Sequence, residues 1–243
     1  MMKIIITRNY KELSRKAAEI VREVIKERLK KRKNTSSVSL LLPTGRTPIG
    51  MYKELIKYYK DKNKNKKLDF SRVKFFNLDE YLGAKPDDKD SYNYYLRKRF
   101  LNKINALEKN IFILRGDVNP REQIKEYEKL LSKGVDLAIL GVGVDSHIAF
   151  DEPGTSFNSK THITKLKRST IKRNKTRFKE AITVGIKTIM KSKKILLLAS
   201  GKDKARAIRA LLFHKISEKE PVTILRKHKD LTVIITEDIA REI

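Results

Sequence analysis

Short apolar runs alternate with amphipathic stretches along nearly the whole chain, and the alternation predicts strands and helices in turn. The runs Lys3–Thr7, Ser37–Leu42, Val73–Asn77, Ile111–Leu114, Leu137–Leu140, Ile195–Leu198 and Thr232–Ile235 are short and rich in Ile, Val and Leu, as strands buried on both faces are. Between the first two, the stretch Tyr10–Leu29 sets Leu13, Ala17, Ile20, Val21, Val24 and Ile25 on one stripe. That spacing predicts an amphipathic helix whose apolar face is core. Strands separated by helices predict an α/β fold: a doubly wound, largely parallel sheet with right-handed crossovers, flanked by helices. No internal repeat, linker or boundary divides the chain, so one domain over 1–243 is expected.

Residues 155–178 interrupt the alternation. They are polar and carry Lys160, Lys165, Lys167, Arg168, Lys172, Arg173, Lys175 and Arg177. A long irregular insert beside a site is often a lid, with a solvated basic loop as the alternative.

Ligands of parallel α/β sheets bind beyond the carboxyl ends of the strands, so the chemistry is sought there. The run ending at Leu140 continues as Gly141-Val142-Gly143-Val144-Asp145-Ser146-His147, then Ile148-Ala149-Phe150-Asp151-Glu152-Pro153. A histidine flanked by carboxylates is a proton carrier tuned near neutral pH, because each acid stabilises the imidazolium and a hydrogen bond fixes the tautomer. A capped turn with a structural histidine is the competing reading. Two glycines and the acids Asp145, Asp151 and Glu152 around His147 favour the functional one.

Three further loops fall at the same sheet edge. After the second run, Leu42-Pro43-Thr44-Gly45-Arg46-Thr47-Pro48 leads into a helical pattern; a glycine turn at a helix start offers backbone N–H groups and a positive dipole end to an anion. An ordinary capped turn explains it equally well. After the sixth run, Ala199-Ser200-Gly201-Lys202-Asp203-Lys204 sets lysines against a helix start, where they oppose the dipole unless they serve a ligand. The third run delivers Phe76-Asn77-Leu78-Asp79-Glu80-Tyr81, whose paired acids supply either a general base or a loop cap.

Composition removes several alternatives. The 243 residues hold no cysteine, which excludes disulfides, thiolate-bound zinc and a thiol nucleophile. His162, His214 and His228 stand apart without ligand spacing, so no metal and no cofactor is expected. The opening run is too short for a signal sequence and no window is long and apolar enough for a membrane span, so a cytoplasmic protein without a membrane partner is expected. Lys and Arg number 57 against 29 acids, a net charge of +28, and such an excess raises nucleic acid as a partner. The basic residues are scattered, however. The denser runs, Lys26–Lys33 and Asp61–Lys67, lack interleaved aromatics, so a lysine-biased surface is the preferred reading and nucleic acid is not expected.

These motifs together resemble glucosamine-6-phosphate deaminases, of the isomerase-deaminase type, over essentially the whole chain. The resemblance rests on Leu42–Pro48, Phe76–Tyr81, Ser91-Tyr92, the Gly141–Pro153 cluster, Ala181-Ile182-Thr183-Val184-Gly185 and Gly201-Lys202-Asp203-Lys204-Ala205. It implies an aldose–ketose isomerisation and deamination of glucosamine 6-phosphate, with Asp79 moving the proton between carbons 2 and 1. His147 would open the sugar ring, oriented and tuned by Asp145 and Glu152, while Thr44, Gly45, Arg177 and Lys204 would hold the phosphate. Because water completes the loss of ammonia, a hydrolase is expected, acting in amino sugar catabolism, and a homo-oligomer is left open. Phosphogluconolactonases share a similar Gly-rich Asp-x-His element, and a sugar-lactone esterase or a non-catalytic sugar-phosphate sensor are the rival readings. Three features depart from the pattern. Ser146 stands where glycine is usual and would crowd the turn; Asp151 stands where asparagine is usual and would raise His147 further. His162 and Thr164 fall where some bacterial members carry basic residues for an acetylated sugar-phosphate activator, which puts that activation in question.

Overall fold

The computed structural model describes residues 2–31, 37–63 and 65–243; Arg32, Lys33 and Lys64 of the two basic runs lie outside the described residues. In chain order the first elements are β1 (Met2–Thr7), α1 (Tyr10–Lys31), β2 (Val38–Leu42), α2 (Ile49–Lys60), β3 (Val73–Asn77) and β4 (Asp79–Tyr81). Next come α3 (Tyr92–Arg99), β5 (Ile111–Phe112), α4 (Pro120–Leu131), β6 (Leu137–Gly141), β7 (His162–Lys165) and α5 (Arg168–Asn174). The chain closes with β8 (Glu180–Thr183), α6 (Ile186–Ile189), β9 (Ile195–Ala199), α7 (Ala205–Phe213), β10 (Leu231–Thr236) and α8 (Glu237–Ala240).

The main sheet has seven strands in the order β1-β10-β9-β6-β2-β3-β5, every pair parallel. Each of the seven apolar runs in the sequence forms one of these strands. The sheet is buried between helical layers, which is why its strands are apolar throughout instead of alternating. On one face, α1 contributes Leu13, Ala17, Val21, Val24 and Ile25 to a cluster with Leu40, Phe75, Ile139 and Ile234. On the other, α4, α6 and α7 close over Leu41, Leu140, Leu197 and Val233. Each fully buried aliphatic side chain contributes roughly 1.5–3 kcal/mol of transfer free energy, so this two-sided burial fixes the sheet and with it the strand ends that carry the site. No helix among the described residues is long and apolar enough to cross a membrane.

A second sheet is absent from the sequence reading. Strands β4, β8 and β7 pair antiparallel in the order β4-β8-β7 and cover a small core of Tyr81, Phe150, Leu166 and Ala181. Residues 155–178 therefore are not one irregular insert: they supply β7 and α5. Their register puts Asp79 opposite Thr183 and Thr183 opposite His162.

Candidate active site

The segments after β2, β3, β6 and β9 meet α5 around a cleft of about 710 Å³, large enough for a phosphorylated hexose. Thr44, Gly45, Asp79, Asp145, His147 and Lys204 all line it. Glu152 and Arg177 are not among the lining residues.

The loop after β2 is held from behind by tyrosines. The Tyr52 hydroxyl donates to the Pro43 carbonyl at 2.6 Å and Tyr95 to that of Gly45 at 2.5 Å. Tyr10 lies 3.2 and 3.1 Å from the carbonyls of Arg46 and Thr47. Carbonyl and N–H of a planar trans peptide point in opposite directions. The N–H groups of Thr44, Arg46 and Thr47, paired with the carbonyls of Pro43, Gly45 and Arg46, therefore face away from the tyrosines, and these three residues line the cleft. Gly45 turns at φ +86°, the left-handed region that glycine enters without strain. Helix α2 begins directly after, and the Tyr10 hydroxyl also accepts from the Gly50 N–H of its first turn at 2.8 Å.

The two acids on β4 have different fates. Glu80 accepts hydrogen bonds from Ser91 Oγ and the N–H groups of Tyr81, Tyr92 and Asn93, all within 2.8–2.9 Å, and so caps the start of α3. Asp79 is also buried, yet it lines the cleft and its Oδ1 has no hydrogen-bond partner. Burial first, and the neighbouring Glu80 charge second, hold the Asp79 carboxyl well above the usual carboxylate range. The strand itself is braced by Asn77, whose side-chain amide donates to the Asp79 carbonyl at 2.7 Å.

Across the cleft, Asp145 Oδ1 lies 2.6 Å from His147 Nδ1, an ion-pair contact off the line of an ideal hydrogen bond. Burial opposes ionisation of Asp145, but the His147 ring outweighs it and holds the carboxyl at about 2. The imidazole rests on the backbone of Gly143: a Cβ there would come within 2.3 Å of ring atoms Cε1 and Nδ1. This is the physical need for the second glycine of the motif. Ser146 sits at φ +73°, which accounts for glycine being usual there and makes the serine a strained substitute.

Two of the expected site residues stand outside the cleft. The Glu152 carboxylate accepts from the Lys167 N–H at 3.1 and 3.2 Å and from the Thr170 hydroxyl at 2.5 Å, fastening the start of α5. Arg177 does not reach the cleft: it pairs with Asp88 at 3.3 Å and stacks on Phe178 at 4.9 Å, with 69% of its side chain exposed. One turn earlier, Arg173 lines the cleft and pairs with Asp203. Its place was legible in the spacing Ser169-Thr170 to Arg173-Asn174, which puts these four on one helix face, and all four line the cleft. Asp151 Oδ1 lies 3.9 Å from His162 Nε2, and burial first and the Asp79 charge second push the Asp151 carboxyl well above its usual range.

Lys204 ends the short 3-10 turn Lys202–Lys204 and is half-buried; burial first and the Arg173 charge second push its ammonium down to about 8. Lys202, by contrast, is exposed and pairs with Glu242 at 3.4 Å. Among the described residues no group of three or more acids and histidines could hold a metal ion.

This arrangement has close counterparts. The family model for glucosamine-6-phosphate isomerases/6-phosphogluconolactonase matches residues 8–234. The chain is 45% identical over 249 residues to a glucosamine-6-phosphate deaminase of Thermoanaerobacter sp., covering 98% of this chain and 94% of that one. It is 40% identical to the deaminase of Clostridium beijerinckii, with both chains covered in full. Among solved structures, a monomeric glucosamine-6-phosphate deaminase superposes with a TM-score of 0.92 at 38% identity over 100% of both chains. A 6-phosphogluconolactonase from Trypanosoma brucei gives 0.81 at 19% identity over 100% and 99%, a likeness of fold alone. The expectation of a hydrolase is overturned by these relatives, which are deaminases in an isomerase family. The chain belongs to the glucosamine-6-phosphate isomerase/6-phosphogluconolactonase family.

Proposed function

We propose that this protein is a glucosamine-6-phosphate deaminase, converting glucosamine 6-phosphate and water to fructose 6-phosphate and ammonia. The observation that carries the reading is the position of Asp79: a buried carboxylate with an unpartnered oxygen, in the same cleft as the Asp145–His147 pair and the anion-binding loops. A lactone esterase needs the histidine and the phosphate loops but has no use for a second, separate base.

The geometry supports the following roles. The substrate phosphate is held by the N–H groups of Thr44, Arg46 and Thr47, by Lys204, and by Arg173 in the place first expected for Arg177. Charge-assisted hydrogen bonds of this kind are the stronger sort. With the phosphate fixed at one end, His147 takes the proton of the anomeric hydroxyl and returns one to the ring oxygen, which opens the ring. Asp145, 2.6 Å from His147 Nδ1, holds the imidazole in orientation while the proton is in transit. Asp79 then removes the proton from carbon 2 and delivers it to carbon 1. A carboxylate kept well above its usual range is a better base once ionised. The resulting imine at carbon 2 takes up water and releases ammonia. Glu152 acts at one remove, by fixing the helix that carries Arg173.

The test is release of ammonia and fructose 6-phosphate from glucosamine 6-phosphate, compared with hydrolysis of 6-phosphogluconolactone. Turnover of the amino sugar alone is expected; turnover of the lactone alone would overturn the reading.

A further inference from the structure

A second cavity opens at the other end of the sheet from the cleft. It encloses about 440 Å³, within the range of small-ligand sites. Its walls come from the segment before β9, the segment before β10 and the last turn of α1, whereas Ser200 and Lys204 of the cleft follow β9. The length of that strand, roughly 16 Å at about 3.3 Å per residue, separates the two. Arg28, Lys191, Lys193, Lys227 and Lys229 line the cavity, and no carboxylate does. Buried Asp136 holds two of these cations from behind: its Oδ1 lies 3.0 Å from Lys193 Nζ and 3.8 Å from Arg28 Nε. Its Oδ2 accepts from the Ser39 N–H and hydroxyl at 2.9 and 3.1 Å. Lys191 and Lys227 are exposed, with no ion-pair partner among the described residues. Cations gathered around one hollow repel one another unless an anion lies among them.

Ser192 lines the same cavity. It is 5% exposed, and its Oγ has no hydrogen-bond partner, although a buried hydroxyl left unpaired is costly. The backbone around it is braced. His228 Nε2 donates to the Ser192 carbonyl at 2.7 Å, and its Nδ1 accepts from the Asp230 N–H at 3.2 Å. Both ring nitrogens are thus used by backbone, the ring ties two walls together, and the Ser192 hydroxyl stays available to a ligand. Helix ends account for part of the charge: Arg28 stands in the last turn of α1, and Lys227 ends the 3-10 turn Pro221–Lys227, where a cation answers the dipole. That role requires neither the hollow nor the unpaired serine.

We propose that this cavity binds a small molecule carrying two or more phosphate groups, at a site separate from the cleft and from the substrate proposed for it. The cations stand on three separate segments around a space larger than one phosphate, so linked phosphates can each draw on a different wall. Charge-assisted hydrogen bonds from Arg28, Lys191 and Lys227 hold the phosphate oxygens, and the Ser192 hydroxyl donates one more.

The experiment is titration calorimetry at physiological ionic strength with inorganic phosphate, pyrophosphate and adenosine diphosphate. It is run on the full chain, on Lys191→Ala/Lys227→Ala, on Ser192→Ala and on Lys204→Ala. Pyrophosphate should bind the unaltered chain with a Kd below about 1 mM, and about tenfold or more tighter than phosphate. The double lysine variant should weaken that binding about tenfold or more, and Ser192→Ala about threefold or more. Lys204→Ala, which weakens anion binding in the cleft, should leave it in place. Adenosine diphosphate separates two sources of the same chemistry. Affinity equal to that of pyrophosphate assigns the site to phosphates alone; greater affinity assigns it to a nucleotide whose base meets Met190, which also lines the cavity. Affinity for pyrophosphate unmoved by the double lysine variant or by Ser192→Ala overturns the proposal, as does its loss in Lys204→Ala. An equal loss in Lys103→Ala/Lys109→Ala, exposed positions ahead of β5 at the far edge of the sheet, also overturns it, because the overall positive charge would then be the cause.

Discussion

Gly143 and Lys204 show how single residues set the chemistry. A methyl group at position 143 would overlap the His147 ring, so Gly143→Ala must tilt or displace the imidazole. Misplacement of a catalytic group by about an ångström costs on the order of a hundredfold. A loss of that size in kcat/KM is expected, with near-native circular dichroism. Unchanged kinetics would mean that the ring does not work from its observed position. Lys204 yields a pH prediction whose sign follows from its lowered value of about 8. In the free protein the ammonium loses its proton as pH rises through about 8, and with it the attraction for a dianion. The Michaelis constant should therefore climb above about pH 8, and Lys204→Arg should abolish that climb because guanidinium stays charged. Bound phosphate favours the charged lysine, so saturating substrate should move the transition upward. Asp145, His147 and Lys204 stand out in the sequence because each lies within a few residues of a glycine at a strand end. The orphan oxygens of Asp79 and the fate of Glu80 were not, since both acids look alike until one is seen capping α3.

Elements decide which of two arginines does the work. The motif resemblance chose Arg177, but that position lies beyond the end of α5, after Lys175 turns the chain at φ +52°. Arg173 is inside the helix, and the helix faces the cleft. Arg173→Ala should raise the Michaelis constant at least tenfold with a smaller fall in kcat, since the phosphate is held alike in ground and transition states. Arg177→Ala should change either constant less than twofold to threefold; steady-state kinetics on the two variants separates the readings. Glu152 belongs to the same element. Removing its carboxylate leaves the Lys167 N–H and the Thr170 hydroxyl without their acceptor, at about 1–3 kcal/mol. Glu152→Ala should lower the thermal midpoint and raise the Michaelis constant together, as α5 loosens. A lower midpoint with an unchanged Michaelis constant would separate the helix from phosphate binding. Seven strands of the main sheet were legible because two-sided burial makes them continuous apolar runs. Strands β4, β7 and β8 escaped notice because they are short, mixed in polar and apolar residues and paired over a small core. Their existence depends on long-range pairing, which local pattern does not record.

The whole molecule carries +28, and its proposed substrate is an anion. Such a field speeds encounter and is screened by salt, as the Debye length falls from roughly 30 Å at 0.01 M to about 8 Å at physiological strength. kcat/KM should fall several-fold across that range while kcat stays nearly level, checked by assays in a monovalent salt series. At the same scale, one cleft is assembled from loops after four strands and one helix, and its central claim is that Asp79 moves the carbon-bound proton. The most direct measurement follows glucosamine 6-phosphate labelled with deuterium at carbon 2, incubated with the unaltered protein and with Asp79→Asn. The unaltered protein should transfer or wash out the label while forming fructose 6-phosphate. The variant should bind substrate with nearly the same affinity yet lose both label loss and turnover by more than about a hundredfold. Label loss and turnover at ordinary rates in Asp79→Asn would contradict the assignment.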